Sequence, residues 1–192
     1  MKLLHQPLQN RHVRLEPLAE WHREALRGPA LADPLTWRYW PRDMLGEGWD
    51  SQFDWEIGEQ TSRRWMLYAV IAPGERAIGQ TCYLDIRPEH GGVEIGGTWY
   101  GPEGRGGTIN PASKLLLLEH AFACGAERVQ LKTDSENARS RAAMMKMGAT
   151  FEGIHRRHMR RPDGKWRDTA WYVVLREDWP GVKAGLELRL AP

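Results

Sequence analysis

"WYGPEGRGGTINPASKLLLLEHAF", Trp99 to Phe122, sets four glycines in the seven residues Gly101 to Gly107, between an aromatic strand end and a long apolar helical pattern. Glycine loses more conformational freedom on folding than other residues. A cluster of it marks a turn with unusual dihedrals or a place where backbone approaches something closely. The stretch that follows has clear helix punctuation: Asn110 is a favourable N-cap, Pro111 suits a first turn, and Gly125 is a C-terminal stop, which predicts a helix over 111–124. Its interior, "KLLLLEHAFA", is apolar on several sides, so burial is expected. A buried helix entered from a glycine-rich turn aims unpaired N–H groups and the positive end of its dipole at one point, which is an anion site. A tight turn that binds nothing is the plain alternative, and context decides between them.

Two phosphate motifs fail on that context. A Walker loop needs a Gly-Lys-Ser/Thr end, which "GRGGTIN" lacks. The dinucleotide fingerprint belongs to the first strand-helix unit of a doubly wound sheet, whereas this loop comes in mid-chain after several strands.

Upstream of the loop, "HVRLEPL" (12–18) alternates as a strand, and 19–27 reads as a short helix. From Pro29 to Gly48, three prolines among Trp37, Tyr39, Trp40 and Met44 make a loop too apolar to be merely solvated; it is expected to fold over something. A helix over 50–64 with Phe53, Ile57 and Gln60 on one face leads into "WMLYAVIA", "AIGQTCYLDIRPE" and "GGVEIGGTWYG", three strands in an antiparallel meander. Downstream come the helix over 111–124, a strand "ERVQLKTD", a helix over 136–147, a hairpin around "RPDGKW", and a helical tail over 177–192. Strand, helix, strand implies a right-handed crossover and a locally parallel pair. The expected fold class is therefore α/β (α+β), a mixed sheet with helices on its faces, in one domain over 1–192.

The chain has 192 residues, 41% hydrophobic and 27% charged, with a formal charge of +2. That balance gives no reason to expect a nucleic-acid or membrane partner. Cys82 and Cys124 are too few and too far apart for a disulfide framework or a cysteine-based metal site, so no metal is expected and a reduced, cytoplasmic setting is. No apolar run has the length of a bilayer span, and the start of the chain does not read as an export signal.

The sequence resembles the GNAT N-acetyltransferases and, within them, the RimJ/RimL-like branch. "RLEPL" (14–18), "TWRYWP" (36–41), "VEIGGTWYGPEGRGG" (93–107), "LKTDSENARSRAAMMKMGATFEG" (131–153) and "RRHMRRPDGKWRDTAWY" (156–172) carry the resemblance, most specifically in "NARSRAAMMKMGA". Arg105 to Asn110, "RGGTIN", stands where that family has its pyrophosphate loop, Q/R-x-x-G-x-G/A. The resemblance implies a GNAT-like, mostly antiparallel sheet with a splayed parallel pair at the cofactor site. It also implies acetyl transfer from acetyl-CoA to an amine by direct attack, with an oxyanion donor from the backbone of the strand before the loop. Arg105, Gly106, Gly107, Thr108, Ile109, Asn110 and Asn137 are then the cofactor contacts. Thr108 departs from the family glycine. If its backbone needs a positive φ a β-branched residue is strained there, and either the glycine register shifts or the anion is held more weakly.

An attacking amine must lose a proton, and the thiolate leaving group benefits from one. Strand alternation turns Glu94 away from Val93 and Ile95, which makes it a candidate base or amine anchor; a solvated strand carboxylate is the alternative. Ser140, three residues from Asn137 on one helical face, matches the family position that meets the thiol and is the candidate proton donor, against the alternative of a local backbone hydrogen bonder. Met144 and Met147 continue that stripe as core, and Trp99 reads as core. Arg139, Arg141 and Lys146 are further cations near the loop. Trp37, Tyr39 and Trp40, with Trp55 beside them, are expected to line the acceptor side. "HRRHMRRPDGKWRD" (155–168) holds six Lys or Arg against two Asp, and as an edge hairpin it reads as a solvated surface or an attractor of acidic substrates. That hairpin and the tail are the candidate surface for a homodimer. A CoA-binding sensor or interaction module without catalysis is the competing class, favoured by Thr108.

Overall fold

The computed structural model describes residues 1–42, 44–45 and 47–191; Asp43 and Gly46 in the predicted aromatic loop, and Pro192 in the predicted tail, lie outside the described residues. In chain order the elements are β1 (Leu8–Gln9), β2 (Arg14–Pro17), α1 (His22–Leu31), α2 (Gly48–Thr61), β3 (Met66–Ala72), β4 (Arg76–Arg87) and β5 (Gly92–Tyr100). Then follow α3 (Ile109–Ala123), β6 (Arg128–Asp134), α4 (Ala138–Met147), β7 (Thr150–Arg160), β8 (Trp166–Leu175) and α5 (Trp179–Leu190).

The strands form one eight-stranded sheet in the order β1-β2-β3-β4-β5-β6-β8-β7. Alternation divides the core between its two faces. Tyr68, Val70, Tyr83, Val93, Ile95, Val129, Leu131 and Tyr172 pack with Leu117, Ala121 and Phe122 of α3 and with Val182 and Leu186 of α5. Leu67, Ala69, Ile71, Cys82 and Trp99 pack with Leu26 and Ala30 of α1 and with Trp49 and Phe53 of α2. The predicted meander is β3-β4-β5, antiparallel throughout. The predicted parallel pair is β5 with β6, joined only through Gly92–Arg128, Val93–Val129 and Glu94–Gln130. Beyond Glu94 the two strands diverge, and β6 continues against β8 as far as Asp134–Thr169. The gap between them is where a ligand can enter the sheet.

Two predicted helix boundaries are corrected. The first helix does not stop before Pro29 but runs through it to Leu31. Burial of Leu26 and Ala30 on the sheet outweighs the hydrogen bond that proline forfeits in the last turn. α3 begins at Ile109 rather than Pro111. Asn110 is therefore inside the first turn, and its Oδ1 accepts from the Tyr100 hydroxyl at 3.3 Å instead of capping. The tail is helical as expected, and α5 places Val182, Leu186 and Leu190 in the main core.

Candidate active site

The glycine loop owes its composition to two demands. A Cβ on Gly101 would lie 2.9 Å from the Cβ of Pro29, so only glycine lets the loop close on α1. Gly106 has φ +75°, the left-handed region that glycine occupies without strain. Thr108 has φ −83° and ψ −17°, ordinary helical geometry, so the strain expected for a β-branched residue there does not arise. The positive dihedral falls two residues earlier. Among the described residues, the amides of Gly106, Gly107, Thr108, Ile109 and Asn110 donate to no acceptor in the chain. Gly106, Gly107 and Thr108 are exposed, and a Cβ at Gly106 or Gly107 would meet nothing within 4 Å, so the tip of the loop is open. Free amides at the positive end of a buried helix fit the pyrophosphate that the resemblance implies.

The Arg105 side chain is turned elsewhere. Its Nη1 pairs with Asp33 at 2.5 Å, Nε donates to the Tyr100 carbonyl at 2.8 Å, and Nη2 donates to the Thr36 hydroxyl at 2.5 Å. Arg105 thus ties the loop to the 3-10 turn Pro34–Tyr39. That turn is folded over Trp99, as its apolar content required: Trp37 is buried with its ring 5.3 Å from Trp99 and 5.4 Å from Trp40, and its Nε1 donates to the Ala30 carbonyl at 2.9 Å. Tyr39 is half-buried beneath the Arg38 guanidinium, and Trp55 lies under Arg42 with its ring against Trp65.

On the far side of the gap, α4 is capped by Asn137, whose Oδ1 accepts from the Ser140 amide at 3.1 Å. The Ser140 hydroxyl is half-buried and bonds no described residue, so it is not a local backbone hydrogen bonder. Arg141 donates to the Tyr172 hydroxyl and the Ser135 carbonyl, while Arg139 and Lys146 are exposed. Met147 is in the core with Met144 packed against it.

Glu94 points to the face opposite Val93 and Ile95, but it is not solvated. It is 2% exposed and pairs with Lys132 of β6 at 2.6 Å. Burial pushes its carboxyl above the ordinary range, against the opposing pull of Lys132. Sequence reasoning missed a second carboxylate on this face. Glu56 of α2 is 1% exposed and accepts from Gln52 at 2.7 Å and Gln80 at 2.8 Å, and burial pushes its carboxyl up to about 7. Trp49, Phe53 and Glu56 lie at spacings of four and three, which was the legible signal for an acid on an apolar helix face. Also missed was Lys114 of α3, buried with Nζ donating to Thr98 at 2.7 Å and driven by burial down to about 8. Thr98 adjoins Gly97, which has φ +54° in the bulge that shifts the β4–β5 register. The sequence presents Arg167 only as one of six hairpin cations; it is buried, and strand alternation places it on the Glu94 face.

The family model for the GNAT acetyltransferase domain matches residues 12–150. No curated protein matches the chain. Among solved structures, a T. thermophilus protein assigned to the acetyltransferases is 37% identical, with each chain covered over 100% and a TM-score of 0.88. A GCN5-related N-acetyltransferase from Brucella melitensis is 28% identical over 100% of this chain and 88% of its own, with a TM-score of 0.90. Mycobacterium smegmatis RimJ, in complex with CoA-disulfide, is 24% identical over 95% of this chain and 92% of its own, with a TM-score of 0.78, and shares the fold. With the splayed parallel strands and the free amides at the start of α3, the match over 12–150 shows that the chain belongs to the GNAT family of acetyl-CoA-dependent acetyltransferases.

Proposed function

We propose that residues 1–192 form one N-acetyltransferase domain, of the RimJ/RimL-like branch, that moves the acetyl group of acetyl-CoA to a primary amine by direct attack in a ternary complex. The observation that carries this reading is the run of unpartnered amides from Gly106 to Asn110 beside the β5–β6 gap, with buried carboxylates on the opposite face. The amides hold the pyrophosphate, and Asn137 fixes the first turn of α4 so that the free Ser140 hydroxyl can give its proton to the departing thiolate. Trp37, Tyr39 and Trp40 wall the acceptor side. Amines of pKa near 8 or 10 arrive mostly protonated at neutral pH. Glu94, held by Lys132, lends the gap a negative field toward the ammonium, and Glu56, near 7, has the basicity suited to taking a proton at working pH. Acceptors in this reading are peptide N-termini or small amines. Helical dihedrals at Thr108, which remove the strain expected there, favour this reading over a CoA-binding module without catalysis.

The test is calorimetric titration with acetyl-CoA followed by thiol release across an amine panel. One-to-one binding and turnover that falls about 100-fold in S140A and E94Q is the expected result. Cofactor binding with no turnover of any amine refutes the enzyme reading.

A further inference from the structure

Arg167 lies in β8 two residues before Thr169, which pairs with the last residue of β6, Asp134. It therefore sits at the end of the sheet where β5 and β6 have already parted. Alternation turns Arg167, Thr169 and Trp171 to the Glu94 face, while Ala170, Tyr172 and Val174 enter the core. The residue is 7% exposed, its Nε is fully buried, and its guanidinium makes no hydrogen bond or ion pair with any described residue. Two carboxylates act on it through space, Asp134 and Glu94. Both are taken: Lys132 holds Glu94 at 2.6 Å, and Arg161 donates to both oxygens of Asp134 at 2.8 Å. Arg161 also repels it.

Lys132 and Arg161 are thus engaged with Glu94, Asp134 and Glu136, the last at 3.0 Å from Arg161, and Arg167 is the cation of the group left with free donors. Leaving a guanidinium buried and unpaired is costly, and a fold retains it most readily where an anion completes it. The planar fork of arginine matches a carboxylate in two parallel hydrogen bonds. One guanidinium fork suits one carboxylate, whereas a phosphate dianion would bring more charge beside Glu94, Asp134 and Glu136 than that fork offsets.

We propose that the acceptor carries a carboxylate beside its amine, and that Arg167 receives that carboxylate. The inference rests on the amine-acetyltransferase reading and names the substrate class for it.

Matched probes test it: glycine against glycinamide, β-alanine against β-alaninamide, and the tripeptide amide Ser-Asp-Ala against Ser-Asn-Ala. Each is titrated into CoA-saturated protein and assayed with acetyl-CoA. In at least one pair the carboxylate member should bind and react about tenfold better, and the pair that responds separates an amino acid from a peptide N-terminus as the source. R167Q should bring that pair level, and R167K should restore part of the preference. R167M should melt no lower than the parent protein, because it removes an unpaired buried charge. Equal or better performance of the amide in every pair, absence of binding by all members, an R167Q loss shared equally by both members, or a lower melting temperature for R167M would each overturn the inference. Acetylation without carboxylate preference would leave the amine reading intact, and Arg167-dependent binding without acetylation would do the reverse.

Discussion

Single residues decide whether the loop can hold an anion, and the dihedrals assign the work differently from the motif. The family pattern drew attention to Thr108, yet φ is −83° there and +75° at Gly106. A side chain at Gly106 would have open space but the wrong backbone, a conformation that costs an L-residue roughly 1–2 kcal/mol. G106A should therefore weaken acetyl-CoA binding about tenfold by calorimetry. T108G should change it by less than about twofold, because the threonine makes no capping hydrogen bond that glycine would lose. Tighter binding by about tenfold in T108G would mean that the threonine is the strained residue after all. Residue type alone could not separate these positions, since the register of positive φ depends on where α3 begins.

At the scale of elements, the strand and helix order was legible because periodicity reports burial. "WMLYAVIA" alternates between two buried faces as β3, and "KLLLLEHAFA" is apolar on several sides because α3 packs against both the sheet and α5. Long-range pairings were not legible. Nothing in "PEGRGG" says that Arg105 reaches Asp33, 72 residues away in sequence, so the motif made it a phosphate ligand while the fold makes it a tie between two loops. The two roles predict different kinetics. If the guanidinium positions the aromatic turn, R105A and D33A should each raise the acceptor KM about fivefold, a modest effect in keeping with an ion pair open to solvent. The double variant should be no worse than either single one, and acetyl-CoA affinity should move less than about threefold. Loss of cofactor affinity in R105A with D33A unaffected would return Arg105 to the phosphates. The same blindness hid Glu56 and Arg167: spacing and alternation gave each a face, but only the packed sheet brings α2 and β8 to the side that carries Glu94.

For the whole molecule, two buried groups on opposite faces of the sheet pull the pH dependence of stability in opposite directions. Glu56 titrates near 7 in the native chain against an ordinary 4.5, so between those values folded protein holds a proton that unfolded protein has released. Stability therefore falls as pH rises from 4.5 to about 7. Lys114 titrates near 8 against an ordinary 10.5, so between those values it is the unfolded chain that holds the extra proton, and stability rises with pH. Each interval, at about 1.4 kcal/mol per pH unit, bounds the effect at roughly 3–4 kcal/mol. Surface acids such as Glu16 and Asp33 are held below their ordinary range by hydrogen-bonded partners, His22 and Arg14 for the first and Arg105 for the second. Their contribution is present above the unfolded value and is lost on acidification, so it does not overlap the two buried groups. His5, His120 and His158, held below their ordinary 6.5 by burial, oppose Glu56 in the acid range, and the Cys82 thiol, pushed up by burial, opposes Lys114 in the alkaline range, so the pull of each buried group shows as a difference between parent protein and variant. Urea unfolding at pH 5, 7.5 and 10 should reveal it: E56Q should flatten the fall between the first two points, and K114M the rise between the last two. If the E56Q profile instead parallels the parent protein from pH 5 to 7.5, Glu56 does not titrate in that interval, and a base poised for neutral pH must be sought in Glu94.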